Sequence, residues 1–576
     1  MRVLPLLTVV FIAVPLAAQA PAVVSVSPTS GYVGSDVDTD IVVQFDEALD
    51  PGTVTSESFR VFGRWSGPAA GSFSFEDGNQ TIRFSLTEPC AFGETVTVMM
   101  SKAITDAGGT PMDHAYSWSF WTTSTHLDQI DFQETSFMSL REGGEGHIQS
   151  YGAYAGDIDN DGWSDLVVPN EIPADVRVLL NDGNGTYSTF TIFPLPNGGL
   201  PSTNEGGDFN EDGNIDIAVG NGSNDRLSVM LGDGTGGFPS IISYQTTGSQ
   251  VRGVAVLDAN GDGHEDLVTA NRSNGTLSYF EGNGDGTFQA AVNIEPGGSG
   301  ATSLAAADAN GDGIMDLFVG ALNSNEIILM LGDGEGGFSV SDAIDTEGAP
   351  WMLAAGDLNG DGNIDVVAAG SSGNVADVVF GDGAGGLEST ESYASGSFTL
   401  AIDLSDLDGD GDLDMISSNY SSGDFYIFEN DGSGSFSHIQ TLPVAGAGSC
   451  IVAHDRDNDG TLELTGIDEV SDRLYFYESI GVVANESPEM TQTSLTVVTN
   501  PFRSETTLRV HFDGPQHARL RVFDMLGREV AVLLDGVVSG GDQAVRWSAG
   551  QMPSGVYVAL LETPSGTKVA RLTLLR

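Results

Sequence analysis

The chain has 576 residues, which is too long for one ordinary domain and suggests two to four. It carries 81 acidic against 21 basic residues, a formal net charge of −60. That balance argues against nucleic acid as a partner, because such binding is driven by Lys and Arg neutralising phosphates.

Two cysteines, Cys90 and Cys450, make no disulfide framework, and the 76 glycines alternate with apolar runs as in a turn-rich all-β protein. Residues 1–20 read as a secretory signal. Arg2 is the positive start, residues 4–16 are mostly apolar, and Ala18, Gln19 and Ala20 form an A-x-A cleavage site. Pro21 behind that site shifts the expected cut by a residue or two. The apolar run is shorter than the roughly 20 residues of a membrane span, and Pro5 and Pro15 interrupt it. No other segment is a candidate transmembrane span, so the expected location is secreted or at the cell surface.

Residues 22–124 predict a β-sandwich, because alternating runs at 40–45, 71–75, 81–84, 95–98 and 116–120 are separated by Pro, Gly and Asp turns. Residues 41–51 (IVVQFDEALDP), 104–109 (ITDAGG) and 118–123 (WSFWTT) resemble the bacterial Ig-like domain of S-layer and other surface proteins. The resemblance implies a spacer or an adhesive accessory. Asp113 and His114 read as a surface turn. Residues 125–150 lead on, with 130–133 as a candidate strand.

Residues 125–480 carry one acidic loop seven times. Its copies place oxygen-bearing side chains at positions 1, 3, 5 and 9, glycine at 6, and a variable residue at 7. The first is Asp157, Asp159, Asp161, Trp163 and Asp165; the second is Asp208, Asn210, Asp212, Asn214 and Asp216. The third is Asp258, Asn260, Asp262, His264 and Asp266; the fourth is Asp308, Asn310, Asp312, Ile314 and Asp316. The fifth is Asp357, Asn359, Asp361, Asn363 and Asp365; the sixth is Asp406, Asp408, Asp410, Asp412 and Asp414. The seventh is Asp455, Asp457, Asp459, Thr461 and Glu463. First aspartates are 51, 50, 50, 49, 49 and 49 residues apart, a fixed period that marks a repeat architecture.

Such loops suit a hard cation. Calcium takes six to eight oxygen ligands, alternate residues can point inward, and glycine permits the sharp turn. Turn formation alone needs only one or two such residues. An EF-hand is excluded, because position 12 is Val168, Val219, Thr269, Val319, Ala368, Ser417 or Gly466, none of them a carboxylate. The expected cage uses the ninth side chain and the backbone carbonyl of position 7. One Ca2+ per repeat, up to seven, is the expected cofactor load. Trp163 reads as a packed rim residue, with sugar stacking as its alternative.

Six repeats carry a second signature, a glycine turn closed by an apolar residue at 181–187, 232–238, 282–288, 332–338, 381–387 and 430–436. Each period then holds four strands, and seven such periods predict a β-propeller. The pattern resembles the FG-GAP repeat family, related to the integrin α-subunit propeller, in which the acidic loop binds calcium structurally. The seventh repeat lacks the glycine turn and a fourth strand. A ring must close to remove exposed edges, so the segment near Ile130 is expected to complete the last blade.

Residues 481–493 read as a linker. Residues 494–576 form a last small β-module. Its landmarks (500–502, 520–530, Trp547, 553–557 and 572–576) resemble the C-terminal sorting domain of type IX secretion cargo, which implies the type IX secretion machinery as a partner.

The fold class expected is thus all-β, a seven-bladed β-propeller flanked by two small Ig-like β-sandwich domains. The expected function is binding or adhesion toward an extracellular glycan or protein ligand. The alternative is a secreted polysaccharide lyase or hydrolase. No nucleophile elbow, His/Cys metal set or phosphate loop is present. Of eight histidines, His264 is inside an acidic loop and His454 beside one, and the rest are read as lying in turns or outside the repeats. No enzymatic activity is therefore expected.

Overall fold

The computed structural model describes residues 20–481 and, past them, 494–497, 502, 505–512, 516–524, 528–538, 541–550, 552–553, 555–563 and 566–574. The signal segment 1–19 and linker residues 482–493 lie outside the described residues. The chain divides into two compact units, the first reaching Val483 and the second starting at Ala484.

The first unit opens with a sandwich. One sheet orders its strands as Val23–Ser27, Ile41–Phe45, Thr81–Leu86 and Gly71–Glu76; the other as Gly67–Pro68, Phe59–Gly63, Thr95–Met100 and Tyr116–Trp121. Alternation turns Ile41, Val43, Phe59, Val96, Val98 and Trp118 into a shared core. The strands at 23–27, 59–63 and 67–68 are additional to those expected. Val23–Ser27 buries none of its side chains fully and Gly67–Pro68 is two residues long, so neither leaves an alternating apolar signal.

Seven four-stranded antiparallel sheets follow, and these are termed blades 1 to 7. Their inner strands are Tyr154–Gly156, Pro201–Gly207, Val251–Leu257, Ala301–Ala307, Pro350–Gly356, Thr399–Ser405 and Gly448–His454. Each inner strand touches the next, and the last touches the first, so the sheets close into a β-propeller. The apolar cores sit between successive blades. Leu317 and Val319, for example, pack with Val268 and Ala270, while Phe318 on the opposite face packs with Val366.

Blade 7 takes its outer strand from before the ring. Phe132–Ser139 pairs antiparallel with Arg473–Ser479, from Phe132 opposite Ser479 to Ser139 opposite Arg473. The strand begins two residues after Ile130, as the missing fourth strand of the seventh repeat required.

The second unit is a separate sandwich. Ser494–Val497, Glu505–Phe512 and Gly541–Ser548 form one sheet; Glu529–Val538, Gln516–Asp524, Gly555–Thr563 and Gly566–Leu574 form the other. Phe502, Trp547 and Tyr557 anchor its core. Of the landmarks, Asn500, Pro501, residues 525–527, Ser554, Leu575 and Arg576 fall outside the described residues. Among the described residues, no helix is long and apolar enough to cross a membrane.

Candidate metal centres and the capped channel

Each acidic loop joins the inner strand of a blade to its second strand. Glycine at position 6 has φ between 81° and 97° in all seven loops, a conformation that L side chains rarely adopt. The position 1 carboxylate takes the backbone N–H groups of the turn: Asp157 accepts from Asp161 and Gly162, both at 2.9 Å. Position 5 accepts from the N–H of position 7, as Asp312 does from Ile314 at 2.8 Å.

The ninth carboxylate is the buried anchor. One oxygen accepts from the N–H of position 2 and the other from the N–H opening the glycine turn of the same blade. Asp165 bonds Ile158 at 3.0 Å and Asn181 at 2.7 Å; Asp316 bonds Ala309 at 3.0 Å and Gly332 at 2.9 Å. Blade 7 has no such turn, and Glu463 reaches back to the N–H of Arg456 at 2.8 Å.

Burial raises these acids. It pushes Asp157, Asp208, Asp258 and Asp455 up to about 6, against backbone N–H groups that lower them. Asp216, Asp266, Asp316, Asp365 and Asp406 reach about 7, and Asp165 and Glu463 about 8, again chiefly by burial. Asp308 and Asp357 are raised, and Asp414 is raised well above its ordinary value, for the same reason.

These donors fit a cation. In loops 1, 6 and 7, carboxylate oxygens from positions 1, 3 and 9 (Asp157, Asp159, Asp165; Asp406, Asp408, Asp414; Asp455, Asp457, Glu463) lie within 4.8 Å of one another. The Oδ1 atoms of Asp159, Asp408 and Asp457 are buried with no hydrogen-bond partner. An orphaned buried carboxylate oxygen is costly, and a dication beside it removes the cost. Loops 2 to 5 have asparagine at position 3, whose Oδ1 accepts from the N–H of position 5 at 2.9 to 3.1 Å. At position 7, His264 turns its ring to Glu211, Asn214 donates to Asp212 at 2.7 Å, and Asp412 keeps a buried Oδ1 without a partner.

The Ig-like domain is not a free spacer. It sits on the loop-bearing face of the ring and touches all seven blades. Asp157 N–H donates to the Trp65 carbonyl at 2.7 Å and Ser117 N–H to that of Gly313 at 2.7 Å; on blade 7 a Cβ on Gly93 would come 2.8 Å from Leu462, and Thr125, just past the domain, donates its N–H to the Gly460 carbonyl at 2.7 Å. Lys102 Nζ donates to the Asn260 carbonyl at 3.0 Å, and Ser124 Oγ to that of Asp406 at 2.7 Å. Arg60 pairs with Glu211 in loop 2, and Gly31 lies against Asp357 in loop 5. Trp65 and Trp121 enter propeller cores.

The domain therefore covers one end of the central channel. A cavity of about 300 Å³ remains, lined at the covered end by Phe62, Arg64 and Trp121 and at the other by Tyr151, Arg252 and Trp351. Arg64 meets Asp403 at 3.5 Å inside it.

At the uncovered end, the residues six before the first aspartate line the channel in five of the seven blades. Tyr151, Arg252 and Trp351 are three of these repeat-equivalent positions. The residues fourteen after it include Glu171, Arg272, Tyr420 and Glu469. Arg252 pairs with Glu171 at 2.9 Å and lies 5.3 Å from the Tyr151 ring; Arg272 lies 4.6 Å from the Trp351 ring. Trp351 Nε1 donates to Tyr151 Oη at 2.8 Å. Burial, then Glu171, push Glu469 up to about 7.

Sequence reasoning missed this group, because its members are up to 318 residues apart and carry no local motif. The signal was available in the repeats: superposing the periods and reading the positions that differ, rather than those that recur, picks these residues out. Trp163 is half-buried beside Gly183 of its own blade. His454 is buried and held near neutral between Ser164 and Thr465 at 2.7 and 2.9 Å, its pKa lowered to about 3 by burial. His438 is a correction: it lies in the strand Phe436–Pro443, stacked on Tyr426 at 4.2 Å, because a polar alternate on the outer strand of blade 6 faces solvent.

Comparison with known families assigns the two recurring architectures. Residues 17–122 match the bacterial Ig-like domain, and five overlapping segments, 157–219, 208–269, 258–319, 310–368 and 406–465, match the FG-GAP-like repeat. The chain thus carries a bacterial Ig-like domain and FG-GAP repeats on a propeller. Comparison with curated sequences gives no match. Among solved structures, a lectin of Agrocybe aegerita described as recognising non-reducing terminal N-acetylglucosamine is similar at 18% identity over 70% of this chain and 90% of that one, with a TM-score of 0.37. A protein from Lactobacillus plantarum is similar at 13% identity over 68% and 98%, TM-score 0.42. A putative 6-phosphogluconolactonase from Bacteroides fragilis is similar at 16% identity over 56% and 96%, TM-score 0.40.

Proposed function

We propose that the chain is a secreted or cell-surface propeller, stabilised by calcium, that acts as a binding or adhesion module for a glycan or protein ligand. The observation that carries the metal is the set of buried, partnerless oxygens on Asp159, Asp408 and Asp457. When bound, calcium supplies positive charge to loops whose carboxylates are otherwise expensive to bury. At extracellular-type affinities and tenfold excess ion, each site adds roughly 1.4 kcal/mol, and seven together add on the order of 10 kcal/mol. That is comparable to the stability of a whole domain.

The loop face is covered by the Ig-like domain, so the metals stabilise the ring and the opposite face is left for a ligand. The sandwich of residues 494–576 serves in this reading as the export address for type IX secretion and surface attachment. Calcium titration of the chelator-treated chain, followed by a glycan and protein binding screen in calcium, tests the proposal. About seven ions and a saturable extracellular ligand support it; no calcium uptake removes the metal, and no ligand removes the module.

A polysaccharide-degrading enzyme is the second reading. It has one observation in its favour, a pair of carboxylates at the channel end, Glu171 and Glu469, of which the second is raised to about 7. New reducing ends or unsaturated products from a polysaccharide incubated with the purified chain would establish it.

A further inference from the structure

The protein has a net charge of −60, yet the uncovered channel end holds two arginines side by side. Arg252 is matched by Glu171 at 2.9 Å. Arg272 pairs with no carboxylate among the described residues. Its guanidinium lies 4.6 Å from the Trp351 ring, and burial together with Arg252 pulls its pKa below the usual arginine value. A guanidinium placed against a like charge, with no anion of its own, carries a cost that the Trp351 ring face offsets in part; a bound anion would offset the rest.

The surroundings fit a sugar. Trp351, half-buried, meets Phe398 at 5.6 Å, and Phe398 meets Tyr420 at 6.0 Å, so aromatic rings flank the entrance. Rings with an apolar body and a polar edge suit a ligand that has one apolar face and hydroxyls at its rim. Glu469, 4% exposed, keeps a buried Oε2 with no partner, and Arg252 keeps a buried Nε with none. The two groups are close enough for Arg252 to act on the Glu469 charge, and Arg252 lines the cavity of about 300 Å³, the lower end of the usual ligand-pocket range. The repeats add a reason to read this as a site. The same ring positions are Ser202, Thr302, Leu400 and Ser449 in the other four blades, so the large side chains come from the alternate blades 1, 3 and 5, and Trp351 and Arg252 both meet Tyr151 there.

We propose that the uncovered channel end, built by Tyr151, Glu171, Arg252, Arg272, Trp351 and Glu469, binds a sugar residue that bears a carboxylate, a hexuronate. Arg272 takes the carboxylate through its two-pronged guanidinium, Trp351 and its neighbours take the pyranose face, and Arg252 and Glu469 take hydroxyls. The proposal deepens the binding-module reading and rests on it.

The test is calorimetry of the full chain in calcium with trigalacturonate and with its methyl ester, which keeps the shape and removes the charge. The expected result is binding of the acid at least tenfold tighter than the ester. Arg272→Gln should abolish that preference while leaving the ester unchanged, and Arg272→Lys should retain part of it. Thermal melts check that each variant is folded. Equal affinity for acid and ester, or an acid affinity unmoved by Arg272→Gln, overturns the hexuronate assignment and leaves the module reading standing. Binding of neither compound at millimolar concentration also overturns it, and the general ligand screen then decides the module reading by itself.

Discussion

Gly185, in the glycine turn of blade 1, lies against Asp457, the third position of the blade 7 loop: a Cβ on Gly185 would come 2.8 Å from that of Asp457. Arg456 Nη1 donates to the Gly185 carbonyl at 2.6 Å, and Asn181 Nδ2 to the Arg456 carbonyl at 3.0 Å. The relation recurs. Gly286 N–H donates to the Phe209 carbonyl at 2.8 Å, and Asn430 Nδ2 to the Leu358 carbonyl at 2.8 Å. The glycine turn of one blade seats on the acidic loop of the blade before it, so the two recurring signatures are halves of one interface.

Gly185→Val tests that interface at the ring closure. A side chain there meets both a left-handed φ of 78° and the Asp457 backbone side. The expected loss is about 1–3 kcal/mol, with weaker calcium uptake at the seventh loop. A melting curve and a calcium titration read both effects; a silent variant would separate turn from loop.

Replacing Asp408 with Ala removes a buried oxygen that has no protein partner. In chelator the variant should be as stable as the parent or more so, since an unpaired buried charge is gone. In calcium it should be less stable and bind one ion fewer. Equal loss in both conditions would assign Asp408 a role in the protein scaffold instead.

The metal-free chain should melt higher at pH 5 than at pH 8. Asp165, Asp216, Asp266, Asp316 and Asp365 hold their protons in the folded state up to about 7 or 8. In the unfolded chain an aspartate releases its proton near about pH 4. Their stabilisation is therefore complete below that value and is lost as pH rises through their folded values. His454, at about 3, acts in the opposite sense, losing stability as pH falls below about 6.5, but it is one group against many. Calcium needs the ionised loops, so its stabilising effect should grow from pH 5 to pH 8. Melts at both pH values, with calcium and with chelator, give the sign directly.

Deleting 132–139 strips the outer strand from blade 7 and exposes Arg473–Ser479 as an unpaired edge. The expected outcome is concentration-dependent association, measured by light scattering, together with a lower melting temperature. A monomeric deletion variant of unchanged stability would mean that closure contributes little.

Trp121→Ala should loosen the cap. Trp121 is 7% exposed and packs with Leu358, Leu404 and Leu413 of the propeller. A loss of about 3–5 kcal/mol is expected, and limited proteolysis should cut within 122–131 sooner than in the parent. Unchanged cleavage would place the docking energy elsewhere.

The sequence by itself determined the repeats, the loops and the need for a borrowed strand. These are local: a loop at positions 1 to 9 is set by neighbouring backbone geometry, and a period near 50 is visible without any contact being known. It even located the closing strand, because a missing strand in repeat seven and a surplus apolar run near Ile130 are complementary deficits. The tertiary structure alone decided that the Ig-like domain caps the loop face, that Gly185 seats on Asp457, and that Arg272 and Trp351 share one end of the channel. Each joins residues from different blades or domains. Closing the ring brings such residues together by rotation about an axis, and rotation leaves no trace in the spacing of any one repeat.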